Sequence, residues 1–127
     1  MTRKEINRLK TTFNRLIRER DKVCQVGNKF GGCGGVLQCS HIHSVGAYKN
    51  LQFHPTNAAA LCFRHHLFWW HKNPAESGLW IREFLGVKWE DLELLKRTYT
   101  LKDKTPDDLY RLWKNCGLPV KTFRQKE

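Results

Sequence analysis

The sequence predicts a small α+β protein: two short strands and a helix at the centre, one helix before them and two or three after. Three observations carry that expectation. The 127-residue chain has the length of one domain. Apolar residues recur at helical spacing near both ends but alternate at strand spacing between 36 and 42. Four of the five cysteines and all six histidines fall between 24 and 71, so the strands and the central helix share a segment with chemistry of its own. We read one domain, 1–127, in three parts: a basic helix over 1–21, a core over 22–73, and a helical part over 74–127.

The first helix is expected over 3–20. Ile6, Leu9, Phe13, Leu16 and Ile17 form its apolar stripe, and Arg3, Lys4, Arg8, Lys10, Arg15, Arg18 and Arg20 occupy much of the remainder. The basic face is either solvated or meets phosphates while the stripe packs. Residues 24–35 carry Gly27, Gly31, Gly32, Gly34 and Gly35 and read as a loop tight enough for a cysteine knuckle. A phosphate-cradling loop is the rival reading, but the Lys-Ser/Thr ending of a P-loop is missing. Residues 36–42 read as a strand, with Leu37, Cys39, His41 and His43 on one face and Val36, Gln38, Ser40 and Ile42 on the other. A loop over 44–56 leads to a short second strand at 58–61. A helix follows from Cys62 to about His71, stopped before Pro74 because the residue before proline avoids helical geometry.

Beyond it, Leu79, Trp80, Phe84 and Leu85 mark a helix over 75–85, ended by Gly86. Leu92, Leu94, Leu95 and Tyr99 mark another over 89–99. Thr105-Pro106-Asp107-Asp108 is a helix start, with a capping Thr, Pro at the first helical position and acids in the first turn. That helix should run through Leu109, Leu112 and Trp113 to Gly117. The tail over 121–127 is basic and expected to fray.

Charge narrows the partner. Lys and Arg number 23 against 12 Asp and Glu, giving +11, with a pI near 9.7. Such a surface favours a polyanion, nucleic acid first; a soluble protein that is merely basic is the bland alternative. The charged N-terminus lacks an apolar signal core, and no run of about 18 apolar residues exists. We therefore expect a reducing, cytoplasmic setting and no membrane. Clustered Cys and His in that setting point to metal before disulfide.

Zinc is the expected metal. Cys24 and Cys33 lie nine positions apart on the glycine-rich loop, and Cys62-Phe63-Arg64-His65 is a Cys-x-x-His pair at a helix start. Two such pairs separated by a hairpin supply four tetrahedral N/S ligands. Cys39 is a spare that could replace Cys33, and buried free cysteines are the alternative. On a helix, His65 and His66 both share the face of Cys62, so one can complete the zinc site while the other points to a second metal or to substrate. His71, five positions past His66, lies about 140° around an ideal helix and reads as phosphate-facing or structural, or as a ligand if the helix unwinds before Pro74. His41, at the end of a strand facing this helix, suits a general base for water. Asn57, at the foot of the helix, can pin the loop and orient His41. Trp69 falls on the Cys62 face and reads as core; Trp70 is either core or a surface platform for a base.

Ser40-His41-Ile42, then Asn57, then Cys62-x-x-His65-His66 resemble the His-Asn-His (HNH) endonucleases, the ββα-metal nucleases, over about 24–73. The resemblance implies a zinc-stapled ββα-metal core with flanking helices. It implies that His41 activates water, Asn57 orients it and His66 binds a catalytic divalent ion, Mg²⁺ or Mn²⁺. The structural zinc would be held by Cys24, Cys33, Cys62 and His65.

Leu16-Ile17-Arg18-Glu19-Arg20-Asp21, Ser40-His41-Ile42-His43-Ser44-Val45-Gly46 and Leu51-Gln52-Phe53 are also similar to the lambdoid-phage NinG/Rap recombination endonucleases. That likeness implies branched DNA as substrate and a phage origin, hence the host cytoplasm. The chain departs from both patterns. Ser40 stands where many HNH enzymes carry Asp as a second metal ligand, so His43 or water would fill that place. The NinG/Rap-like proteins carry Cys at the His65 position and Asn at the His66 position. The expected partner is DNA, double-stranded or branched, and paired cuts would need a homodimer. The alternatives are a site-specific homing or nicking endonuclease, for which no separate DNA-reading domain is evident, and a zinc-containing module that binds nucleic acid without cutting it.

Overall fold

The computed structural model describes residues 1–120; the basic tail over 121–127 lies outside the described residues. Among the described residues the architecture is α+β, with five helices and one two-stranded antiparallel sheet. In order these are α1 (Arg3–Asp21), β1 (Leu37–His41), β2 (Ala58–Cys62), a single α-turn α2 (Phe63–His65), α3 (Pro74–Leu85), α4 (Lys88–Thr98) and α5 (Pro106–Asn115). The chain continues from α2 as a π-wound segment, His66–Trp70. No helix among them is long and apolar enough to cross a membrane.

Helix α1 starts where Thr2 and Glu5 satisfy each other's backbone N–H groups, Glu5 N–H to Thr2 Oγ1 at 3.1 Å and Thr2 N–H to Glu5 Oε1 at 2.8 Å. Its expected stripe is buried: Leu9, Phe13, Leu16 and Ile17 pack with Phe53, Ala58, Ala60, Leu109 and Trp113. Helix α5 starts at the expected Thr105 cap, whose hydroxyl accepts from Asp108 N–H. Trp113 is fully buried, and its indole N–H donates to Phe53 O at 2.8 Å. Every large residue of this cluster thus lies on one side of the sheet.

The register pairs Leu37 with Cys62, Cys39 with Ala60 and His41 with Ala58. Leu37 and Cys39 therefore face α1, as alternation predicts, and the His41 ring stacks on Phe13 with centroids 6.0 Å apart. This side of the sheet faces α1 rather than the helix after β2. The opposite side carries Leu61 and Ile42 into a second cluster with Val26, Trp69, Trp80 and Ile81.

A two-stranded sheet leaves each strand with an open edge. The edge of β2 is closed by side chains from the end of α1. Arg20 donates to Pro55 O at 3.0 Å and Ala58 O at 2.8 Å while forking onto both Asp21 oxygens. Asp21 Oδ2 in turn accepts from Ala60 N–H at 2.8 Å. Arg20, expected on a basic surface, instead binds backbone carbonyls that no strand reaches.

The later helices differ from expectation in detail. Pro74 does not merely stop the preceding helix; it is the first residue of α3, where its missing N–H costs nothing. Leu79 is 66 % exposed, and the buried face of α3 is Ser77, Trp80 and Ile81. Helices α4 and α5 lie within a residue or two of expectation, α5 ending at Asn115 rather than Gly117.

Candidate metal centre and histidine site

The glycine-rich loop returns to the start of α2. Phe63 N–H donates to Val36 O at 2.8 Å and Arg64 N–H to Gly34 O at 3.0 Å, so the loop satisfies two first-turn donors of α2. That approach needs Gly35: its φ is +80°, and a Cβ there would lie 2.5 Å from Phe63 Cβ.

The outcome is a four-residue cluster. One ligand atom from each of Cys24, Cys33, Cys62 and His65 lies within 4.8 Å of all the others. His65 Nδ1 is 3.5 Å from Cys24 Sγ, 3.8 Å from Cys33 Sγ and 3.2 Å from Cys62 Sγ. Tetrahedral zinc with bonds of about 2.3 Å to sulfur and about 2.0 Å to nitrogen requires ligand separations of about 3.5–3.8 Å. The donor set and its spacing fit a metal such as zinc.

The surroundings fit as well. The His65 Nε2–H group donates to Gly31 O at 3.1 Å and Phe30 O at 3.3 Å, which leaves Nδ1 as the ligand atom. Burial pushes the Cys62 thiol up, but N–H groups from Gly34 and His65 outweigh it and bring the group down to about 6. Burial, then the neighbouring thiols of Cys24 and Cys62, push Cys33 up to about 11; adjacent thiolates repel each other until a cation joins them. Cys39 is not the fourth ligand. It faces α1, and burial raises its thiol to about 12, as befits a small apolar core group.

The other histidines do not form one group. His66 and His71 pair with each other, whereas His41 sits at the end of β1 on the α1 side of the sheet. His66 Nδ1–H donates to Gln38 Oε1 at 2.6 Å, which leaves Nε2 with its lone pair. The His71 ring lies 4.9 Å from it, centroid to centroid. An α-helix would have turned His71 away; the π-wound segment hydrogen-bonds five residues apart, so positions 66 and 71 share a face. Burial lowers the pKa of His66, and charge on His71 or His41 lowers it further. His41 is lowered by burial, partly offset by the Gln52 carbonyl. Its Nε2–H donates to Gln52 O at 2.9 Å, which fixes the tautomer and leaves Nδ1 basic. Ser40, on the Gln38 face of β1, is 2 % exposed, and its hydroxyl has no partner among the described residues.

His43 and His54 do not join them. His43, expected beside His66, points to α4. Its Nε2–H donates to Glu93 Oε1 at 3.1 Å, and its ring lies against Tyr48 and Trp89. Strand geometry ends at His41, so alternation no longer governs position 43. His54 caps the turn before β2, its Nδ1 accepting from Thr56 N–H at 3.2 Å. Asn57 is fully buried, at the far end of β2 from α2 rather than at the foot of that helix. Its amide accepts from His43 N–H at 2.8 Å and donates to His43 O at 3.0 Å and Leu51 O at 3.3 Å. Asn57 thus does not touch His41; it holds the chain one residue before Gln52, whose carbonyl does. Trp69 is buried and Trp70 half-buried, both within the second core cluster.

The sequence does not single out Gln38 or Gln52 as partners of these histidines, and it brings His71 to the site only through an unwound helix, which the π-wound segment supplies. Alternation could have flagged Gln38. Gln52 acts through its backbone, and the π winding itself left no signal. No family model, curated protein or solved structure matches the chain.

Proposed function

We propose that the protein is a metal-dependent DNA endonuclease of the HNH type, with a structural zinc at Cys24, Cys33, Cys62 and His65. The observation that carries this reading is the pairing of the His66 and His71 rings immediately after a Cys-Cys-Cys-His cluster, on a chain that also holds His41 in one tautomer at the end of β1. In the reaction, Nδ1 of neutral His41 takes a proton from water as its oxygen attacks phosphorus, the bond to the 3′ oxygen breaks, and that oxygen takes a proton from solvent to leave as the 3′-hydroxyl. His66 would hold a divalent ion such as Mg²⁺ or Mn²⁺, which when bound would stabilise charge on the phosphate and the leaving oxygen. His71 takes the role of second ligand expected of His43, and the buried, partnerless Ser40 hydroxyl lies on the strand face that meets His66. Asn57 is a positioning residue: it fixes the backbone that fixes His41.

The basic surface supplies sequence-independent affinity for DNA. The resemblance to NinG/Rap-like endonucleases makes a branched junction the preferred substrate to try. The direct assay offers zinc-loaded protein supercoiled plasmid and a four-way junction, with Mg²⁺, with Mn²⁺ and with neither, beside His66→Ala. Ion-dependent nicking or junction cutting, lost in the variant, supports the reading. DNA binding without cutting of either substrate favours the rival, a zinc-stapled module that binds nucleic acid.

A further inference from the structure

Two cavities on one side of the molecule meet at Lys10, Val45 and Gln52. The inner one, about 220 Å³, has His41 and Phe13 in its wall. The outer one, about 610 Å³, extends it along the first turns of α1 to Arg3. Together they make a groove between α1 and the 45–52 loop, with His41 at its inner end.

Its lining is one-signed. Arg3, Lys10 and Lys49 contribute three cations, and no carboxylate lines either cavity. None of the three cations has an ion-pair partner among the described residues, whereas Arg15, Arg20, Lys96 and Arg111 all do. Asn7, Asn14 and Gln52 add side-chain amides that donate hydrogen bonds to phosphate and sugar oxygens. The groove is open, cationic and continuous with the base of the proposed reaction.

We propose that this groove carries the sugar–phosphate backbone of a DNA strand into His41, with Lys10 and Lys49 each neutralising a phosphate next to the scissile one. The inference rests on the nuclease reading for its ligand, but it concerns binding alone and is tested without cleavage.

The experiment measures fluorescence anisotropy of a mixed-sequence DNA duplex against the full chain, with no divalent ion added, between low and moderate salt. The variants are Lys10→Gln with Lys49→Gln, and a control pair, Lys102→Gln with Lys114→Gln, which line neither cavity. All four lysines are exposed, so the fold is expected to persist, and a thermal melt of each variant checks it. Each lost phosphate contact should lower the slope of log affinity against log salt by about one, so the groove pair should lose about two. At about 0.1 M salt that is a loss of about 10- to 100-fold, equal for unrelated sequences. An equal loss in the control pair, an unchanged slope in the groove pair, or no binding by the unaltered protein would overturn the inference. Binding that behaves as proposed in a protein that cuts nothing would leave the groove standing and remove the nuclease reading alone.

Discussion

His41 shows how one backbone carbonyl turns a common side chain into a candidate base. Bound to Gln52 O, Nε2 must carry the proton, and burial keeps the ring neutral near pH 7. The residue types of this site were legible in the sequence: His41, Asn57, His66 and the zinc ligands all stand in a recognisable order. Their partners were not, because Gln52 contributes only main chain and His43 lies past the end of its strand. His43 and His71 therefore separate the expectation from the structure. Replacing His71 with Ala should weaken activation by Mg²⁺ or Mn²⁺ about 10- to 100-fold, as loss of a ligand-shell group does. Replacing His43 with Ala should leave the ion concentration for half-maximal activation unchanged. A titration of nicking rate against ion concentration reads both, and the opposite pattern would restore His43. Asn57→Ala leaves His43 N–H and two carbonyls without their buried partner, a loss of about 3 kcal/mol in urea unfolding of the zinc-loaded protein.

At the scale of elements, periodicity located nearly every helix and strand, because apolar stripes and alternation follow directly from what each element buries. It did not foresee the change of winding after α2. Nothing in His66-Leu67-Phe68-Trp69-Trp70 announces a π turn; the signal lies in tertiary demands, with Trp69 and Trp70 both drawn into the second cluster and His66 held by Gln38. The open edge of β2 was equally hidden, since an Arg-Asp pair on a basic helix looks like surface. Its role predicts that Arg20→Ala destabilises the fold by about 2–3 kcal/mol, the range for hydrogen bonds from a charged donor, measurable by urea unfolding. Exposed Arg8→Ala, in the same helix, should fall within about 0.5 kcal/mol of the parent. At the knuckle, Gly35→Ala forces a Cβ against Phe63 in a left-handed backbone. It should cost about 1–3 kcal/mol and loosen metal retention, read by zinc release to a chromogenic chelator.

The molecule as a whole joins a helical core around α1 and α5 to a second cluster against which Cys24 and His65 of the metal centre pack. The loop over 24–35 has few apolar anchors, Val26 and Phe30 among them, so the cation is expected to hold much of it in place. Stripping zinc should loosen the loop over 24–35 while the core around α1 and α5 keeps its helical circular dichroism. Acid should act differently. Burial lowers His41, His43 and His54, so the unfolded chain takes up protons first as the pH falls. Their contribution to stability is complete above about pH 6.5, the unfolded value. It is lost as the pH falls through the lower folded values. Thermal melts from pH 8 to 5 should show that fall, and His54→Asn, which keeps a capping group for Thr56, should make it shallower.

The central claim is that His41 performs chemistry and is not there merely to pack on Phe13. The measurement that tests it most directly is nicking of supercoiled DNA by zinc-loaded protein and by His41→Ala under one Mg²⁺ or Mn²⁺ condition, with DNA affinity and melting temperature taken on the same samples. Ion-dependent nicking is expected to fall at least about 100-fold in the variant, the usual weight of a general base, while affinity and folding stay near those of the parent. Nicking at parental rates in a folded His41→Ala protein would contradict it.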